Sequence, residues 1–148
     1  MKPIPYKKNY KIECQKIFDG NTPKFFDPSE RASFVQFLEK PPCPYFVVVD
    51  ENEQILGCGG YYVSADLAEA GLCWGMIDPK WHRQGIGTFL FQARLEKIKA
   101  HGAVKRVLMD TSQDSLGFYQ RFGFDISKVT KDGYGAGLSR FDLVLRLQ

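Results

Sequence analysis

The chain has 148 residues, enough for one domain with a sizeable core, and its 44% hydrophobic and 25% charged residues are typical of a globular protein. A net charge of +3 and no arginine-rich run argue against nucleic acid as a partner. The sequence carries no signal peptide and no apolar run of about eighteen residues, so we expect no membrane association. Four cysteines without C-x-x-C spacing favour a reducing cytoplasm, and the isolated His82 and His101 predict no metal site.

The N-terminal third predicts two helices. A mixed apolar pattern over residues 10–18 favours the first. The second begins at a strong start signal, in which Asp27 caps the helix, Pro28 takes its first position and Glu30 completes a capping box. Its apolar residues share one face: Phe34, Phe37 and Leu38. Prolines at 41–42 end it.

Three strands are predicted next. Residues 45–49 and 55–64 are apolar and β-branched on either side of a polar turn, which indicates a hairpin, and residues 69–77 continue the sheet. The second strand contains three glycines, at positions 57, 59 and 60. Such glycines indicate a bulge or a closely approaching backbone.

A helix with a parallel crossover follows. Apolar residues recur at helical spacing over 84–101, and Gly102 supplies the left-handed residue that ends the helix. Residues 106–110 then form a short buried strand. A strand–helix–strand unit of this kind predicts a right-handed connection between parallel strands.

The C-terminal part predicts one short helix and two strands. The helix spans about 115–122, and the strands span 124–129 and 141–147, the second with clean alternation. The glycine-rich residues 133–137 between them are expected to form a flexible loop that could line a cleft. We expect the strand at 141–147 to be an exposed edge that could pair with a second copy of the chain.

The segment 77–90 suits a phosphate group. Gly85 and Gly87 stand at the start of the helix, where unpaired N–H groups and the positive end of the helix dipole act together. A Rossmann dinucleotide site requires a third small residue where this chain has Leu90. A Walker loop requires a Gly-Lys-Ser/Thr sequence, which this chain lacks.

Residues His82-Arg83-Gln84-Gly85-Ile86-Gly87 resemble the acetyl-CoA loop of the GNAT N-acetyltransferases, usually written [R/Q]-x-x-G-x-[G/A]. His82 departs from that pattern, but the backbone amides over 83–88 could still form a diphosphate cradle. Tyr119-Gln120-Arg121-Phe122-Gly123-Phe124 is similar to a second segment common in this family. The order of predicted elements also follows the family over nearly the whole chain.

The resemblance implies a mixed α+β fold in a single domain over 1–148. Its sheet would be mostly antiparallel and twisted, with one splayed parallel pair and about four flanking helices. The strand holding Met76 and Ile77 would separate from its neighbour near Leu108, so that the pantetheine arm of acetyl-CoA pairs with its backbone. No metal is expected. The residues expected to bind acetyl-CoA are Met76, Ile77, Arg83, Gln84, Gly85, Ile86, Gly87, Thr88 and Phe118.

Two catalytic residues are implied by the same resemblance. Tyr119 occupies the position of family tyrosines near the coenzyme sulfur, where its hydroxyl could protonate the leaving thiolate. Glu69 starts its strand sixteen residues before Gly85, as a base does in the N-terminal-protein acetyltransferases of the family. Strand alternation puts Glu69 and Gly71 on one face, so the carboxylate could reach an amine over the glycine, through water or directly. The alternative interpretation is that Glu69 has no catalytic role and is a surface residue in a turn with Asp66.

Cysteine chemistry is not expected in the same strand. Alternation places Cys73 on the face of Glu69, with Trp74 on the opposite face. No histidine or cation is identifiable beside Cys73, so a small buried residue is favoured over an acetylated nucleophile.

These features predict direct acetyl transfer from acetyl-CoA to a primary amine of a small molecule, peptide or protein. An amine with a pKa of about 10.4 is mostly protonated at neutral pH, so a base is needed and activity should rise with pH. The alternative is a catalytically inactive acyl-CoA-binding sensor or interaction domain. The sequence does not name the acceptor, and no acidic cluster marks a polycation site, which lowers the expectation of polyamines and aminoglycosides. Its pocket could include an aromatic set: Phe25, Phe26, Phe34, Tyr61, Tyr62 and Tyr134.

Overall fold

A computed structural model describes residues 1–66 and 68–148. One seven-stranded sheet runs through these residues. Its strands are β1 (Lys2–Pro5), β2 (Tyr45–Val49), β3 (Ile55–Val63), β4 (Glu69–Ile77), β5 (Arg106–Thr111), β6 (Asp125–Gly135) and β7 (Leu138–Arg146). The helices are α1 (Lys11–Gly20), α2 (Arg31–Glu39), α3 (Ile86–Lys99) and α4 (Gln113–Gln120). No helix of the described ranges has the length and apolar character needed to cross a bilayer.

The sheet has the strand order β1-β2-β3-β4-β5-β7-β6. Every neighbouring pair is antiparallel except β4 and β5, which run parallel and are joined through α3. This arrangement confirms the predicted mixed α+β class, the mostly antiparallel sheet and the single parallel crossover.

Helices cover both faces of the sheet because its central strands are apolar on both sides. In β2, Val47 faces a core formed with Phe18 of α1 and Phe34 of α2, whereas Val48 faces α3. A second core on the α3 side contains Phe91 and is closed by α4. Fully buried strands of this kind have near-continuous hydrophobic sequences, as residues 45–49 do.

The predicted start signal of α2 is present. The Asp27 carboxylate accepts from the backbone N–H of Ser29 at 3.0 Å, and Glu30 accepts from the N–H of Asp27 at 2.8 Å. Pro28 begins a short 3₁₀ turn that leads into the helix. The capping box fixes the connection between α1 and α2.

The alternation expected for β4 fails at Trp74. The register with β3 shifts between the pairs Cys58–Met76 and Gly60–Cys73, so β4 holds one extra residue there. Trp74 takes up the extra residue with a φ of 46°, the conformation of a bulge. The Trp74 ring packs on the α1–α2 core, 5.0 Å from the Phe34 ring, and Cys73 points to the same side, beside Tyr45 of that core. The expectation that Trp74 faces away from Cys73 is therefore wrong.

The C-terminal hairpin also corrects the sequence prediction. Residues 133–137 are not a flexible loop, because β6 extends to Gly135 and pairs with Leu138 across a turn in which Gly137 has a φ of 79°. Strand β7 is not an edge, since it lies between β5 and β6. The edge strand on this side of the sheet is β6, with Ile126 and Val129 exposed, so both edges of strand 141–147 are already paired and its pairing with a second copy is excluded.

Candidate active site

The parallel strands β4 and β5 separate after only three paired positions. Their last pair is Gly71 with Leu108, although β4 continues to Ile77 and β5 to Thr111. A cavity of about 1420 Å³ opens from this gap and reaches the start of α3. The predicted splay near Leu108 is present, and the cavity is large enough for a cofactor-sized ligand together with a second molecule.

The glycine loop forms one end of this cavity. Gly85 caps α3 with a φ of 81°, and the first bond of the helix runs from the N–H of Phe89 to the Gly85 carbonyl. The N–H groups of Ile86, Gly87 and Thr88 precede that bond and have no partner inside the helix. These open donors and the helix dipole make an anion site.

The side chains of the loop have different surroundings. Arg83, Gly85, Gly87 and Thr88 line the cavity. Ile86 is buried in the core between α3 and the sheet, so only its backbone can serve a ligand. The remaining predicted loop residue, Gln84, is exposed and does not line the cavity.

His82, the residue that departs from the family pattern, has a structural partner. Its Nε2 lies 2.8 Å from the carbonyl oxygen of Ile77. Asn21 donates to the same oxygen at 2.9 Å and to the Ile17 carbonyl at 2.8 Å. Because a carbonyl only accepts, Nε2 must carry the proton. Sequence reasoning missed this contact, since Asn21 lies 56 residues from Ile77.

The direction of the β4 backbone decides which peptide groups face the gap. Asp78 donates its N–H to Leu56 of β3 at 2.8 Å. In an antiparallel pair a residue directs its N–H and C=O to the same neighbour, and the direction alternates along the strand. The peptide groups of Met76 therefore face β3, whereas those of Ile77 face the gap, and both residues are among those that line the cavity.

Tyr119 and Phe118 lie on α4 and both line the cavity. The Tyr119 ring contacts Phe118 and Phe124 edge-on, with centroids 4.9 and 5.8 Å apart. Phe118 also faces Gly87, where an added Cβ would lie 3.4 Å from its ring. The hydroxyl of Tyr119 is engaged in none of the hydrogen bonds found within residues 1–66 and 68–148.

Glu69 is placed differently from Tyr119. Its carboxylate is 2.8 Å from the guanidinium of Arg106, and the residue does not line the cavity. The route over Gly71 is occupied, because a Cβ at that position would overlap the ring of Tyr62. The structure thus brings Tyr119 to the cavity with the glycine loop, but it leaves Glu69 outside.

A carboxylate cluster that the sequence does not reveal lines the other end of the cavity: Glu30, Asp110 and Asp142, with Tyr134 and Arg140 among them. The Tyr134 hydroxyl donates to Asp110. Arg140 lies 3.0 Å from Asp142 and 3.7 Å from Asp110. Two carboxylates therefore contact one guanidinium, and Glu30 adds a third carboxylate to the same lining. The expectation that no acidic cluster is present is wrong.

Burial raises the pKa of two groups in this cluster, Glu30 and Tyr134. The pKa of Glu30 is raised because the carboxyl group is half-buried, although the N–H of Asp27 partly opposes the shift. The pKa of Tyr134 is also raised, by burial and by its hydrogen bond to Asp110. A carboxyl group with a raised pKa in a cavity is a common mark of a functional site.

Cys73 has the surroundings of an unreactive thiol. Its Sγ is 3.4 Å from the Sγ of Cys43, and this contact and burial raise its pKa. A thiol held protonated is a poor nucleophile, in line with the prediction for Cys73. The predicted aromatic pocket is divided: Phe25, Phe26, Tyr62 and Tyr134 line the cavity, whereas Phe34 and Tyr61 are core.

Comparison with known proteins places this geometry in a family. The model of the acetyltransferase (GNAT) family matches residues 12–124, more than half of the chain. The chain belongs to the GNAT family. It is thus an acyltransferase of the N-acetyltransferase type, and the family and enzyme class predicted from the sequence are confirmed.

Individual relatives agree with this assignment. A Bacillus subtilis (strain 168) protein assigned as a candidate [ribosomal protein bS18]-alanine N-acetyltransferase is 23% identical over 132 residues, which are 86% of this chain and 85% of that protein. The fold is similar to that of the Escherichia coli ribosomal-protein-S18-alanine N-acetyltransferase, with a TM-score of 0.81, 15% identity and coverage of 99% and 94% of the two chains. It is also similar to an aminoglycoside 6'-N-acetyltransferase complexed with coenzyme A, with a TM-score of 0.77, 14% identity and coverage of 99% and 97%.

Proposed function

We propose that this GNAT protein transfers an acetyl group directly from acetyl-CoA to a cationic primary amine. The supporting observation is that one cavity joins three features: the open N–H donors at the start of α3, the gap between β4 and β5, and the carboxylate cluster. The first two fit a diphosphate and an extended pantetheine arm, and the third fits an ammonium group.

Acetyl-CoA would be held by backbone more than by side chains. The N–H groups of Ile86, Gly87 and Thr88 bind the diphosphate, and Arg83 adds a positive charge beside them. Ile77 offers its backbone N–H to the arm in the gap. Phe118 closes the space beside Gly87, where an added Cβ would lie in contact with the ring.

The carboxylate cluster has two tasks at the acceptor end. Its excess negative charge attracts the protonated amine. One member must then take a proton, because only the neutral amine attacks the thioester carbon. Asp110 fits this role best, since it lies on β5 beside the gap and is held by Tyr134 and Arg140.

Tyr119 completes the reaction on the sulfur side. Attack by the amine nitrogen produces a tetrahedral intermediate, and its collapse breaks the C–S bond. The Tyr119 hydroxyl gives its proton to the departing thiolate, and the extra proton that remains on the amide-forming nitrogen passes through solvent to restore the tyrosine. Glu69 stays a prediction as the base, and its position outside the cavity that Asp110 lines favours Asp110 over it.

A thiol-release assay with acetyl-CoA and a panel of amines tests the proposal. We expect release with cationic primary amines, at a rate that rises with pH, and little release with neutral alcohols. Calorimetry with coenzyme A measures binding separately. Binding without thiol release from any amine would support the inactive-sensor alternative, and no binding would refute both.

Two matched carboxylate variants test the base. Asp110→Asn should lower kcat by about 10²-fold or more, while Glu69→Gln should change it less than threefold. The reverse result would assign the base to Glu69, as the family resemblance predicts.

A further inference from the structure

Arg94 is a buried cation for which the described residues provide no carboxylate partner. It lies on α3 with 3% of its surface exposed, and it lines the cavity. Its bonds are two long ones, from Nη1 to the Gly60 carbonyl at 3.3 Å and from Nε to the Leu90 carbonyl at 3.4 Å. Five N–H groups are available on a guanidinium, so most of its donors are unused.

Two glycines make room for this guanidinium. A Cβ at Gly75 would lie 2.9 Å from Nη2 and 3.0 Å from Nη1, and one at Gly59 would lie 3.3 Å from Nη1. The charged head therefore sits directly against the backbone of Gly75, next to the bulge at Trp74. Arginine keeps its charge at neutral pH, and an unpaired buried charge costs folding free energy. A leucine or methionine would avoid this cost, so packing alone does not account for the residue.

The position of Arg94 indicates which anion it meets. Arg94 comes seven residues after Gly87 on α3, which is about 10 Å along the helix axis from the glycine loop. That distance separates it from the diphosphate site. Its positive charge acts on Cys73, where it lowers the thiol pKa and so opposes the upward shift caused by Cys43 and burial. The guanidinium thus lies beside the bulge of β4 and lines the same cavity, on the side to which an arm extending from the loop would carry its thioester.

We propose that Arg94 is a catalytic residue that binds the thioester carbonyl oxygen and stabilises its negative charge during transfer. The inference rests on the proposed function. When the amine nitrogen bonds to the carbonyl carbon, the π electrons move onto oxygen, and Nη2 donates to that oxyanion. When the C–S bond breaks, the electrons return to form the amide carbonyl. Arg94 gives up no proton in either step.

Methionine and lysine substitutions test this role. Arg94→Met removes the charge at similar length and should lower kcat by about 10²–10³-fold, the usual loss for one oxyanion donor. The affinity for coenzyme A should change less than threefold, because coenzyme A has no thioester carbonyl. The KM for acetyl-CoA should change much less than kcat, because the full negative charge on oxygen forms only in the transition state. Arg94→Lys keeps a positive charge and should recover at least tenfold of the lost kcat.

Thermal unfolding separates catalysis from support of the fold. Removing an unpaired buried charge should leave the melting temperature of Arg94→Met unchanged or raise it. Arg31→Met is the control, since Arg31 pairs with Asp19 on the surface and does not line the cavity. It should keep full activity.

Three results would overturn the inference. Wild-type kcat in Arg94→Met refutes it, and so does a loss of kcat that lysine does not rescue and that accompanies a fall in melting temperature. Absence of thiol release from the wild-type protein refutes the proposed function, and this inference with it. The first two results refute the inference alone, because the wild-type protein still turns over.

Discussion

Replacing Tyr119 with phenylalanine isolates a single hydroxyl. The ring keeps its edge-on contacts with Phe118 and Phe124, at centroid distances of 4.9 and 5.8 Å. The hydroxyl makes no hydrogen bond within the described part of the chain, so its removal leaves no group unpaired. We therefore expect the free energy of unfolding to change by less than about 0.5 kcal/mol.

The effect on turnover should be large. A positioned acid contributes about 10²–10⁴-fold to a rate, and an amine displaces a thiolate only if the C–S bond breaks before the amine leaves again. We expect kcat to fall about 10²–10³-fold, which corresponds to about 3–4 kcal/mol of transition-state stabilisation. The KM for acetyl-CoA should stay within about threefold, because the backbone donors at the loop are unchanged.

Thiol release at saturating substrates measures this prediction. Tyr61→Phe is the matched control, since it removes a hydroxyl from the same core cluster at a residue that does not line the cavity. It should leave kcat unchanged. A kcat for Tyr119→Phe within threefold of wild type would refute the role of Tyr119 as the acid. A rise in KM without a fall in kcat would assign the hydroxyl to binding instead.

Three further predictions concern the scaffold. Phe34 is fully buried, so Phe34→Ala should cost about 3–5 kcal/mol and lower the melting temperature by about 10 °C. Hydrogen bonds from two lysines lower the pKa of Glu39 to about 2. Its carboxylate therefore stabilises the fold above about pH 4.5, and this stabilisation is lost as the pH falls towards 2. Urea titrations should show Glu39→Gln less stable than wild type at pH 6 and equal to it at pH 2. Cys43, half-buried and with a lowered pKa, should react first with a thiol reagent, whereas Cys14 and Cys58 should react only after unfolding.

Local sequence signals predicted the elements that frame the site. The start of α2 was predictable because Asp27, Pro28 and Glu30 act on their own neighbours in the chain. The end of α3 was predictable for the same reason, since Gly102 takes, with a φ of 70°, the left-handed conformation that is nearly free for glycine alone. Cavity-lining positions for Tyr119 and the loop followed from two motifs that each lie within one short segment.

Features made by distant residues were not predictable in this way. The bulge at Trp74 breaks the alternation of β4, but nothing in its immediate sequence marks a left-handed tryptophan. The carboxylate cluster draws Glu30 from the start of α2, Asp110 from β5 and Asp142 from β7, so no acidic run appears in the chain. The order of β7 and β6 is likewise set by pairing with β5, which local periodicity does not encode.

Side-chain donors satisfy two carbonyl groups of β4 in the part of the strand that does not pair with β5. The Tyr45 hydroxyl donates to the Trp74 carbonyl at 2.7 Å, and His82 and Asn21 both donate to the Ile77 carbonyl. With these acceptors satisfied, β5 gains less by closing onto β4, and the splay costs no unpaired carbonyl at either position. Because the gap is preformed, binding of an extended arm does not require the free energy of separating two paired strands. The histidine at the first position of the loop motif thus supports the same site that the motif's glycines create.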